Sequence, residues 1–557
     1  MAHTQKNQND IAASAKFAPH FDVIIIGGGI NGAGIARDCA MRGLKTLIVD
    51  KNDFASGTSS RSTKLVHGGI RYLEQYQFGL VWEACHERKT LTQIAPQLVR
   101  EMPFIIPYYK GDRRPPWMLK LGMTLYDLMA GFKNIRRHRS LSRRGVEKVL
   151  PTMRRDGLKG GGVYYDCQTQ DYRLTLANIQ DAVRHGATAK NYTEVAEIHE
   201  IKRAEARDGG ALKDSLEVVC QDTLTAEKST FTTSYIVNAT GPWLDENLAK
   251  WQLDNNKYLR LTKGIHFFVP RLTPAPESAK SADATDGNAS SSESAGAELT
   301  NGAPDDHAIL IGAQRDNRVF FIIPWGKYSL VGTTDTDFNG SPDQIPVTEE
   351  DINYLLDEIR QVFPDTKITR KDVFGEYAGV RPLLRTEGVK ESAVTREYTL
   401  KEHKRGDSVI LSVVGGKLTT YRSLAEKVTT RVVRTLARKG HLKMAALNRL
   451  RACETAKHRL PGSEFPEKTL ADYRRRALAG LNKFTPFNTL PQDIAENLIN
   501  TYGSEIKSLI PYLQKPGALE RISPENPAIK AQLEYARDHE FARTDEDFLQ
   551  RRAGQAL

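Results

Sequence analysis

The feature that most constrains the fold is a glycine-rich turn near the start of the chain, in FDVIIIGGGINGAGIARDCAMRGLKTLIVDKND (21–53). Val23–Ile26 form a fully apolar predicted strand, and Gly27, Gly29 and Gly32 follow it with GxGxxG spacing at the start of a predicted helix. In this motif the first glycine permits a tight turn, the second lets a pyrophosphate approach the backbone, and the third lets the helix pack on the strand. The phosphates then meet free N–H groups at the helix N-terminus. The turn therefore predicts a strand–helix–strand unit that binds a dinucleotide.

The residues that follow strengthen this interpretation. A second predicted strand, Thr46–Val49, ends at Asp50, whose carboxylate is placed to accept hydrogen bonds from a ribose diol. The motif does not separate FAD from NAD. Much later, YIVNATGPW (235–243) is another apolar strand that ends in a glycine turn. A chain that returns to the first unit after so long an excursion indicates a substrate domain inserted into a flavin-binding fold.

Composition narrows the class of protein. The chain has 557 residues, of which 40% are apolar and 26% charged, as in soluble globular proteins of several domains. No run approaches the roughly 18 apolar residues of a membrane-spanning helix. The five cysteines form no CxxC pair, which favours reduced thiols in a cytoplasmic protein and argues against a zinc site or another bound metal.

The organisation along the chain predicts four segments. Residues 1–19 lack the apolar core of a secretory signal, and we expect a disordered extension. Residues 20–435 contain the discontinuous dinucleotide-binding and substrate domains. Within them, 273–306 is rich in Ser, Ala, Gly and acidic residues, which predicts a disordered insertion. Helix-forming residues dominate 436–557 and predict a helical C-terminal domain.

The net charge of +11 is concentrated in one region. Residues 110–155 hold thirteen Lys and Arg against three acidic residues, beside the apolar helical segment WMLKLGMTLYDLM (117–129). Such a combination suits adsorption to an anionic membrane surface. Nucleic acid binding would use the same charge, and a solvated rim on a core helix is an equally good interpretation.

Together these motifs resemble the FAD-dependent sn-glycerol-3-phosphate dehydrogenases. The resemblance is carried by GGGINGAGIARD, TSSRSTKLVHGGIRYLE, NATGPW, IPWGKYSLVGTTD, YAGVRPL, GGKLTTYR and the C-terminal DHEFARTDEDFLQRR. It implies an α/β fold: a Rossmann-like FAD-binding domain with an inserted mixed-sheet substrate domain of the D-amino-acid/glycine oxidase type, plus an α-helical C-terminal domain. It also implies oxidation of glycerol 3-phosphate to dihydroxyacetone phosphate, with electrons passing through FAD to a membrane quinone. The sequence departs from the family in its insertion, in its N-terminal extension, and in Asp50, where the family usually has glutamate.

A phosphorylated alcohol needs cations for its dianion and a base for its hydroxyl proton. The resemblance implies that the substrate pocket is lined by Arg71, Tyr72, Arg381, Arg396 and Lys417, and we expect His67 and His266 there as well. His67 and His266 are rival candidates for the base, and Thr333, Thr334 and Asp335 end a strand that is expected to face the pocket. We expect Gly68 and Gly69 to let the backbone pass close to the flavin.

The cofactor contacts follow from the glycine turn and the resemblance. They are expected at Gly27, Gly29, Ile30, Asn31, Gly32, Asp50, Lys51, Thr58, Ser59, Ser60, Lys64, Leu65, His67, Gly241, Trp243, Gly416, Lys417, Leu418 and Thr419.

Three other functions compete with a quinone-linked dehydrogenase. A glycerol-3-phosphate oxidase that reduces oxygen differs only in access to the flavin. A flavoprotein that acts on RNA would use the basic 110–155 segment, although we expect no nucleic acid partner. A non-enzymatic scaffold has only the insertion in its favour. We expect a cytoplasmic protein held peripherally at the inner face of the cytoplasmic membrane, and the sequence leaves a monomer and a homodimer open.

Overall fold

The computed structural model describes residues 18–553 apart from 113–114, 132–135, 202–214, 275–305, 317, 387–395, 443–449, 468, 482–489 and 525. Most of the expected N-terminal extension and most of the expected insertion at 273–306 therefore lie outside the described residues.

The strands fall into three sheets. In chain order they are β1 (His20–Phe21), β2 (Val23–Ile26), β3 (Thr46–Val49), β4 (Leu65–Val66), β5 (Val99–Tyr109), β6 (Arg139–Ser142), β7 (Leu158–Thr169), β8 (Thr188–Lys190), β9 (Thr193–Ile201), β10 (Ser215–Asp222), β11 (Lys228–Thr233), β12 (Tyr235–Asn238), β13 (Leu259–Pro270), β14 (Ala308–Gly312), β15 (Val319–Trp325), β16 (Tyr328–Gly332), β17 (Thr336–Asp337), β18 (Phe374–Leu384), β19 (Tyr398–Arg405) and β20 (Ser408–Gly415).

The α-helices connect and cover these sheets. They are α1 (Ile30–Met41), α2 (Phe78–Ile94), α3 (Pro116–Met129), α4 (Arg143–Val149), α5 (Asp171–Arg184), α6 (Leu244–Lys250), α7 (Glu349–Val362), α8 (Tyr421–Arg438), α9 (Leu470–Leu481), α10 (Gln492–Tyr502), α11 (Ile506–Leu513), α12 (Lys530–His539) and α13 (Asp545–Arg551).

The nucleotide-binding sheet has the order β19-β20-β12-β2-β3-β8. All its neighbours are parallel except β19, which runs antiparallel to β20. Its strands are buried on both faces, as their unbroken runs of Val, Ile and Leu require. Apolar residues of α1 and α8 pack on it in one core. The predicted return of the chain is confirmed, because β12 lies directly beside β2.

The substrate domain is built on a ten-stranded mixed sheet. Its main order is β17-β13-β16-β15-β14-β5-β7-β4, with β18 also paired to β13 and β6 to β7. Helix α7 covers one face through Ile352, Leu355 and Ile359. Residues of α2 and α3 contribute to the core on the other face. A third, four-stranded sheet has the order β1-β11-β10-β9.

The C-terminal region is helical, as the sequence predicts. Helices α9 to α12 share a core that includes Tyr473, Leu498, Leu509 and Tyr535. The predicted domain boundary at 435/436 falls inside α8, whose last turn ends at Arg438. This boundary stays a prediction.

Helix α3 exposes apolar side chains on its outer face. Met123 and Tyr126 are buried against the core, whereas Trp117 is 67% exposed and Leu121 is 59% exposed. Arg137 and Arg139 lie nearby in the chain and are exposed. A solvated rim would carry polar residues at such positions. No α-helix among the described residues is long and apolar enough to cross a membrane.

Candidate active site

One cavity of about 790 Å³ lies at the carboxyl edge of the nucleotide-binding sheet and extends to the substrate sheet. Its walls include the turns that follow β2, β3, β12 and β20, and residues of β13 and β18. Ligands of open parallel sheets bind at this edge because the loops and helix N-termini converge there. The volume is within the ordinary range of small-molecule sites, about 300–1,000 Å³.

The glycine turn has the geometry that the sequence predicts. Gly27 has φ +109°, in the left-handed region, and a Cβ there would press on the Ala239 carbonyl. A Cβ on Gly32 would collide with the Gly27 carbonyl oxygen, so the third glycine brings α1 close to the turn. Gly29 and Ile30 line the cavity at the start of α1. The Ser59 hydroxyl accepts from the Ile30 N–H at 2.9 Å and thus caps this helix from a distant loop.

Asp50 follows β3 and its carboxylate is tied to the turn. It accepts from the Gly28 N–H at 2.6 Å and from the Asn52 N–H at 2.9 Å. Burial raises the pKa of Asp50 to about 6, although these two hydrogen bonds oppose the shift. The carboxylate lines the cavity where a ribose would lie on the turn.

All seven residues expected in the substrate pocket line this same cavity. Four of these side chains are cationic, and their closeness is clearest from their effect on the Tyr72 hydroxyl. Burial raises the pKa of Tyr72, but the positive charges of Arg396, Lys417, Arg71 and Arg381 outweigh it, and the pKa lies below its ordinary value. The Lys417 ammonium also stands 5.2 Å from the centre of the Tyr72 ring.

Asp335 orders two of these cations. Its carboxylate lies 3.0 Å from the Arg381 Nη1 and 3.4 Å from the Arg396 Nη2. Burial raises the pKa of Asp335, but Arg381 and Arg396 lower it further and the net direction is downward. The Thr333 hydroxyl accepts from Arg381 at 2.9 Å. Thr333 and Asp335 line the cavity as expected and hold the Arg381 guanidinium. Thr334 does not: it is buried, and its hydroxyl accepts from the Ile265 N–H at 3.1 Å.

Two of the cations keep hydrogen-bonding capacity. The Arg396 Nη1 and the Lys417 Nζ are buried, and neither has a hydrogen-bond partner among the described residues. Buried donors of this kind require an acceptor. An anionic ligand at this end of the cavity supplies one.

Both candidate bases are uncharged at neutral pH, although His266 is buried and His67 is half-buried. Burial lowers the pKa of His67 to about 4, and the Lys417 and Arg71 charges add to that effect. Burial, with the Arg381 and Lys64 charges, lowers the pKa of His266 well below its usual range. The His266 Nε2 lies 2.9 Å from the Thr63 hydroxyl, and its ring stacks on Tyr377 with centroids 5.0 Å apart.

Hydrogen bonds to Thr419 and Asp166 fix the backbone of the segment around His67. The Thr419 hydroxyl contacts both the N–H and the carbonyl of His67 at 3.1 Å. The Asp166 carboxylate accepts from the Gly68 N–H at 3.0 Å and from the Tyr126 hydroxyl at 2.7 Å. Gly69 has φ +79°. The structure gives its own reason for a glycine at position 68: a Cβ there would collide with the Tyr126 hydroxyl and the Cys85 Sγ.

Most of the expected cofactor-binding residues line the cavity, and three do not. The residues on its wall are Gly27, Gly29, Ile30, Asn31, Asp50, Lys51, Thr58, Ser59, Leu65, His67, Gly241, Trp243, Gly416, Lys417, Leu418 and Thr419. Gly32 acts through helix packing. The Lys64 ammonium is 2.8 Å from the Asp171 carboxylate in a buried ion pair, which turns it away from the cavity. The Ser60 hydroxyl donates to the Gly57 carbonyl at 3.3 Å.

Sequence reasoning missed Arg61, Thr63 and Asp166. Arg61 lines the cavity beside the glycine turn, and Thr63 orients His266. Both belong to TSSRSTK, whose run of Ser and Thr residues is the sequence feature that could have identified them. Asp166 is an acid within the otherwise uncharged GGGVYYDCQT of β7, and a buried acid in a central strand needs donors.

The residues present fit a bound FAD. The glycine turn and the N-terminus of α1 suit a pyrophosphate, and Asp50 suits a ribose. The Asn31 Oδ1 is buried and has no hydrogen-bond partner in the described part of the chain, and its amide lies against Gly415, next to Gly416. These residues lead from the glycine turn to the cation cluster.

Comparison with known proteins agrees with this site. Residues 22–422 match the family described as FAD dependent oxidoreductase, and residues 453–557 match the C-terminal domain of alpha-glycerophosphate oxidase. A glycerol-3-phosphate dehydrogenase of Synechocystis is 36% identical over 96% of this chain and 89% of its own length. An aerobic glycerol-3-phosphate dehydrogenase of Staphylococcus haemolyticus is 32% identical, with 96% and 86% covered. The crystal structure of the glycerol-3-phosphate dehydrogenase from Bacillus halodurans, complexed with FAD, superposes with a TM-score of 0.67 at 28% identity, covering 99% of this chain and 88% of that one.

Proposed function

Because the chain belongs to the family of FAD-dependent glycerol-3-phosphate dehydrogenases, we propose that it oxidises sn-glycerol 3-phosphate to dihydroxyacetone phosphate and passes the electrons to a membrane quinone. It is a flavoenzyme with the fold of the D-amino-acid and glycine oxidases, as the sequence predicts, and FAD is its cofactor.

The observation that carries the substrate proposal is the cation cluster around Tyr72. Four positive side chains, those of Arg71, Arg381, Arg396 and Lys417, act on this one hydroxyl. The Asp335 carboxylate offsets part of this charge, and the remainder is unfavourable in such a site without a further anion. A phosphate dianion neutralises it and accepts the hydrogen bonds that Arg396 and Lys417 leave unused.

The chemistry needs a base close to the alcohol. Bound FAD would supply the hydride acceptor for the hydrogen on C2 of the substrate. His67 and His266 are both neutral at pH 7 and both line the cavity, so each meets the requirement of an unprotonated acceptor for the hydroxyl proton. The His67→Asn and His266→Asn variants separate the two roles. Loss of the base should lower kcat by about 10²–10⁴-fold with FAD still bound.

The substrate class is tested by anaerobic mixing of the FAD-loaded protein with glycerol 3-phosphate and with glycerol. We expect the flavin absorbance to bleach rapidly with the phosphate ester and only slowly with glycerol. Bleaching by both alcohols at similar rates would show that the cation cluster does not recognise the substrate phosphate. No bleaching with either would show that glycerol 3-phosphate is not the substrate.

An exposed apolar surface supports the proposal that a membrane quinone is the electron acceptor. We define the exposed patch as Tyr76, Phe78, Trp82, Trp117 and Leu121, with exposed fractions from 43% to 79%. The 3₁₀ helix Ile70–Gln75 carries Arg71 and Tyr72 in the cavity wall and leads directly to Tyr76. The site and the patch are therefore joined by a few residues, a geometry that suits a lipid-soluble acceptor.

We propose that this patch and the neighbouring basic residues hold the protein at the inner face of the cytoplasmic membrane. Arg136, Arg137 and Arg139 are exposed and supply charge for anionic lipids. Co-sedimentation with liposomes of anionic phospholipid should fall when these three are changed to glutamine. The matched control changes Arg434, Arg438 and Arg451, which are exposed elsewhere.

A second pair of variants tests the apolar contribution. Trp117→Ser with Leu121→Ser should weaken liposome binding, whereas Leu224→Ser with Leu549→Ser, at exposed apolar positions outside the patch, should not. Equal binding to neutral liposomes, or equal loss in both pairs, would contradict the proposal.

The acceptor is tested after anaerobic reduction. We expect a soluble quinone to reoxidise the flavin faster than oxygen does. Rapid peroxide formation with little quinone turnover would assign the chain to the oxygen-reducing glycerol-3-phosphate oxidases instead.

A further inference from the structure

The C-terminal segment folds back onto the nucleotide-binding unit. Thr544 caps α13 by accepting from the Asp547 N–H at 3.1 Å, and the Asp547 carboxylate accepts from the Thr544 and Arg543 N–H groups at 2.9 Å. The Tyr192 hydroxyl, in the turn after β8, donates to the Asp547 carboxylate at 2.6 Å. A helix as short as α13 is not stable alone in water, so these contacts determine its position.

The strongest of these contacts is to Asp53. Its carboxylate is paired with Arg551 at 2.6 Å and with Arg552 at 2.8 Å, and it accepts from the Asn191 amide at 3.0 Å. The Asp53 side chain is 0% exposed and that of Arg552 is 1% exposed. Breaking a buried pair of this kind leaves an uncompensated charge, which is strongly unfavourable.

Asp53 and its neighbour Phe54 lie directly behind the glycine turn. The Phe54 ring meets the ring of Phe541, in the C-terminal segment, with centroids 5.4 Å apart. On its other side it lies so close to Gly28 that a Cβ there would collide with it. The Ala55 N–H donates to the Gly28 carbonyl at 3.1 Å. Gly28 in turn donates to Asp50, the acid that faces the ribose position.

We propose that residues 541–553, the C-terminal brace, position the loop 50–57 for the adenosine half of FAD. No residue of the brace is part of the cavity lining. It acts through Asp53 and Phe54 on Gly28 and Asp50, so its docking and FAD binding are thermodynamically coupled. The coupling is reciprocal, and bound FAD therefore stabilises the brace. The proposal rests on FAD as the cofactor and not on the identity of the substrate, so its failure leaves the proposed function untouched.

The test compares FAD binding by apoprotein variants. Arg552→Gln and Asp53→Asn should each raise the dissociation constant of FAD, measured by flavin fluorescence quenching, on the order of tenfold, a typical size for coupling between sites. Arg552→Lys, which keeps the charge, should restore part of the affinity. The inhibition constant of ADP, a competitor that carries only the adenosine half, should rise by the same factor. With saturating FAD, kcat and the KM for glycerol 3-phosphate should match the wild type.

The control is Tyr473→Phe. The Tyr473 hydroxyl donates to the Gly503 carbonyl at 2.6 Å in the core of the C-terminal helices, so this variant removes a buried contact of the C-terminal region outside the brace. It should lower the melting temperature and leave the affinity for FAD unchanged. If it weakens FAD binding as much as Arg552→Gln does, the brace has no specific role. An unchanged affinity for ADP in Arg552→Gln would also overturn the proposal.

Hydrogen exchange on the wild-type chain decides the question if the variants do not fold. Amides of 545–553 should exchange more slowly in the FAD-loaded protein than in the apoprotein. Amides of α11, in the core of the C-terminal helices, should change little. Equal exchange at 545–553 in the two forms would show that the brace and the cofactor are not coupled.

Discussion

Changing Arg396 to glutamine should weaken the oxidation of glycerol 3-phosphate by removing one phosphate ligand. The Arg396 side chain is 9% exposed, and its Nη2 is held 3.4 Å from the Asp335 carboxylate. Its Nη1 is buried and has no hydrogen-bond partner within the described part of the chain. One end of the guanidinium is therefore anchored, and the other is available to the substrate.

The size of the effect follows from the bond that is lost. A hydrogen bond to a charged group contributes about 1.5–3 kcal/mol. At about 1.4 kcal/mol for each factor of ten, kcat/KM should fall about 10–150-fold. Asp335 keeps its contact with Arg381 at 3.0 Å, so we expect FAD content and melting temperature to change little.

The assay measures kcat/KM for glycerol 3-phosphate and the slow rate of flavin reduction by glycerol. Only the first should fall, and Arg396→Lys should lie between the variant and the wild type because it keeps the charge without the planar pair of donors. Arg431→Gln is the control, since Arg431 pairs with Glu402 at 2.6 Å outside the cavity. An equal loss with both alcohols, or no loss with either, would refute the role of Arg396.

Three further predictions concern single residues. The pKa of His67 falls from 6.5 to about 4 on folding, so between these pH values the unfolded chain binds the extra proton and stability drops as pH falls. His67→Asn should therefore show a weaker loss of stability than the wild type between pH 6.5 and 4, by urea unfolding of the apoprotein. Gly68→Ala should lower the melting temperature because its Cβ meets Tyr126 and Cys85, at a cost of about 1–3 kcal/mol; Gly79→Ala, with open space around its Cβ, should not. Asp50→Asn should keep the fold, since an amide oxygen still accepts from Gly28, but weaken FAD binding on the order of tenfold, by flavin fluorescence.

The local features of the fold were predictable from the sequence. Strand β2, helix α1 and strand β3 follow from an apolar run, three spaced glycines and a second apolar run, all between Val23 and Val49. The place of Asp50 in the cavity wall follows from its position at the end of a strand. The cation cluster was predicted from a family resemblance. The Gly-Val-Arg-Pro context sets Arg381 apart, whereas little in the local sequence distinguishes Arg396 from the many other arginines.

The remaining features depend on contacts between distant parts of the chain. Lys64 turns towards Asp171 rather than the cavity, and only the position of α5 decides this. Asp335 meets Arg381 because β13 lies between β17 and β18 in the folded sheet. Arg552 meets Asp53 across almost the whole chain, and no spacing rule relates two residues so far apart.

The central claim is that a hydride leaves C2 of glycerol 3-phosphate for FAD within this cavity. Anaerobic stopped-flow mixing of the FAD-loaded protein with substrate protiated or deuterated at C2 tests it most directly, with flavin absorbance as the readout. We expect full bleaching with both and a several-fold slower rate with the deuterated substrate, since the transferred hydrogen is in motion in the transition state. Absence of bleaching, or bleaching of a glycerol control at the same rate, would contradict the claim.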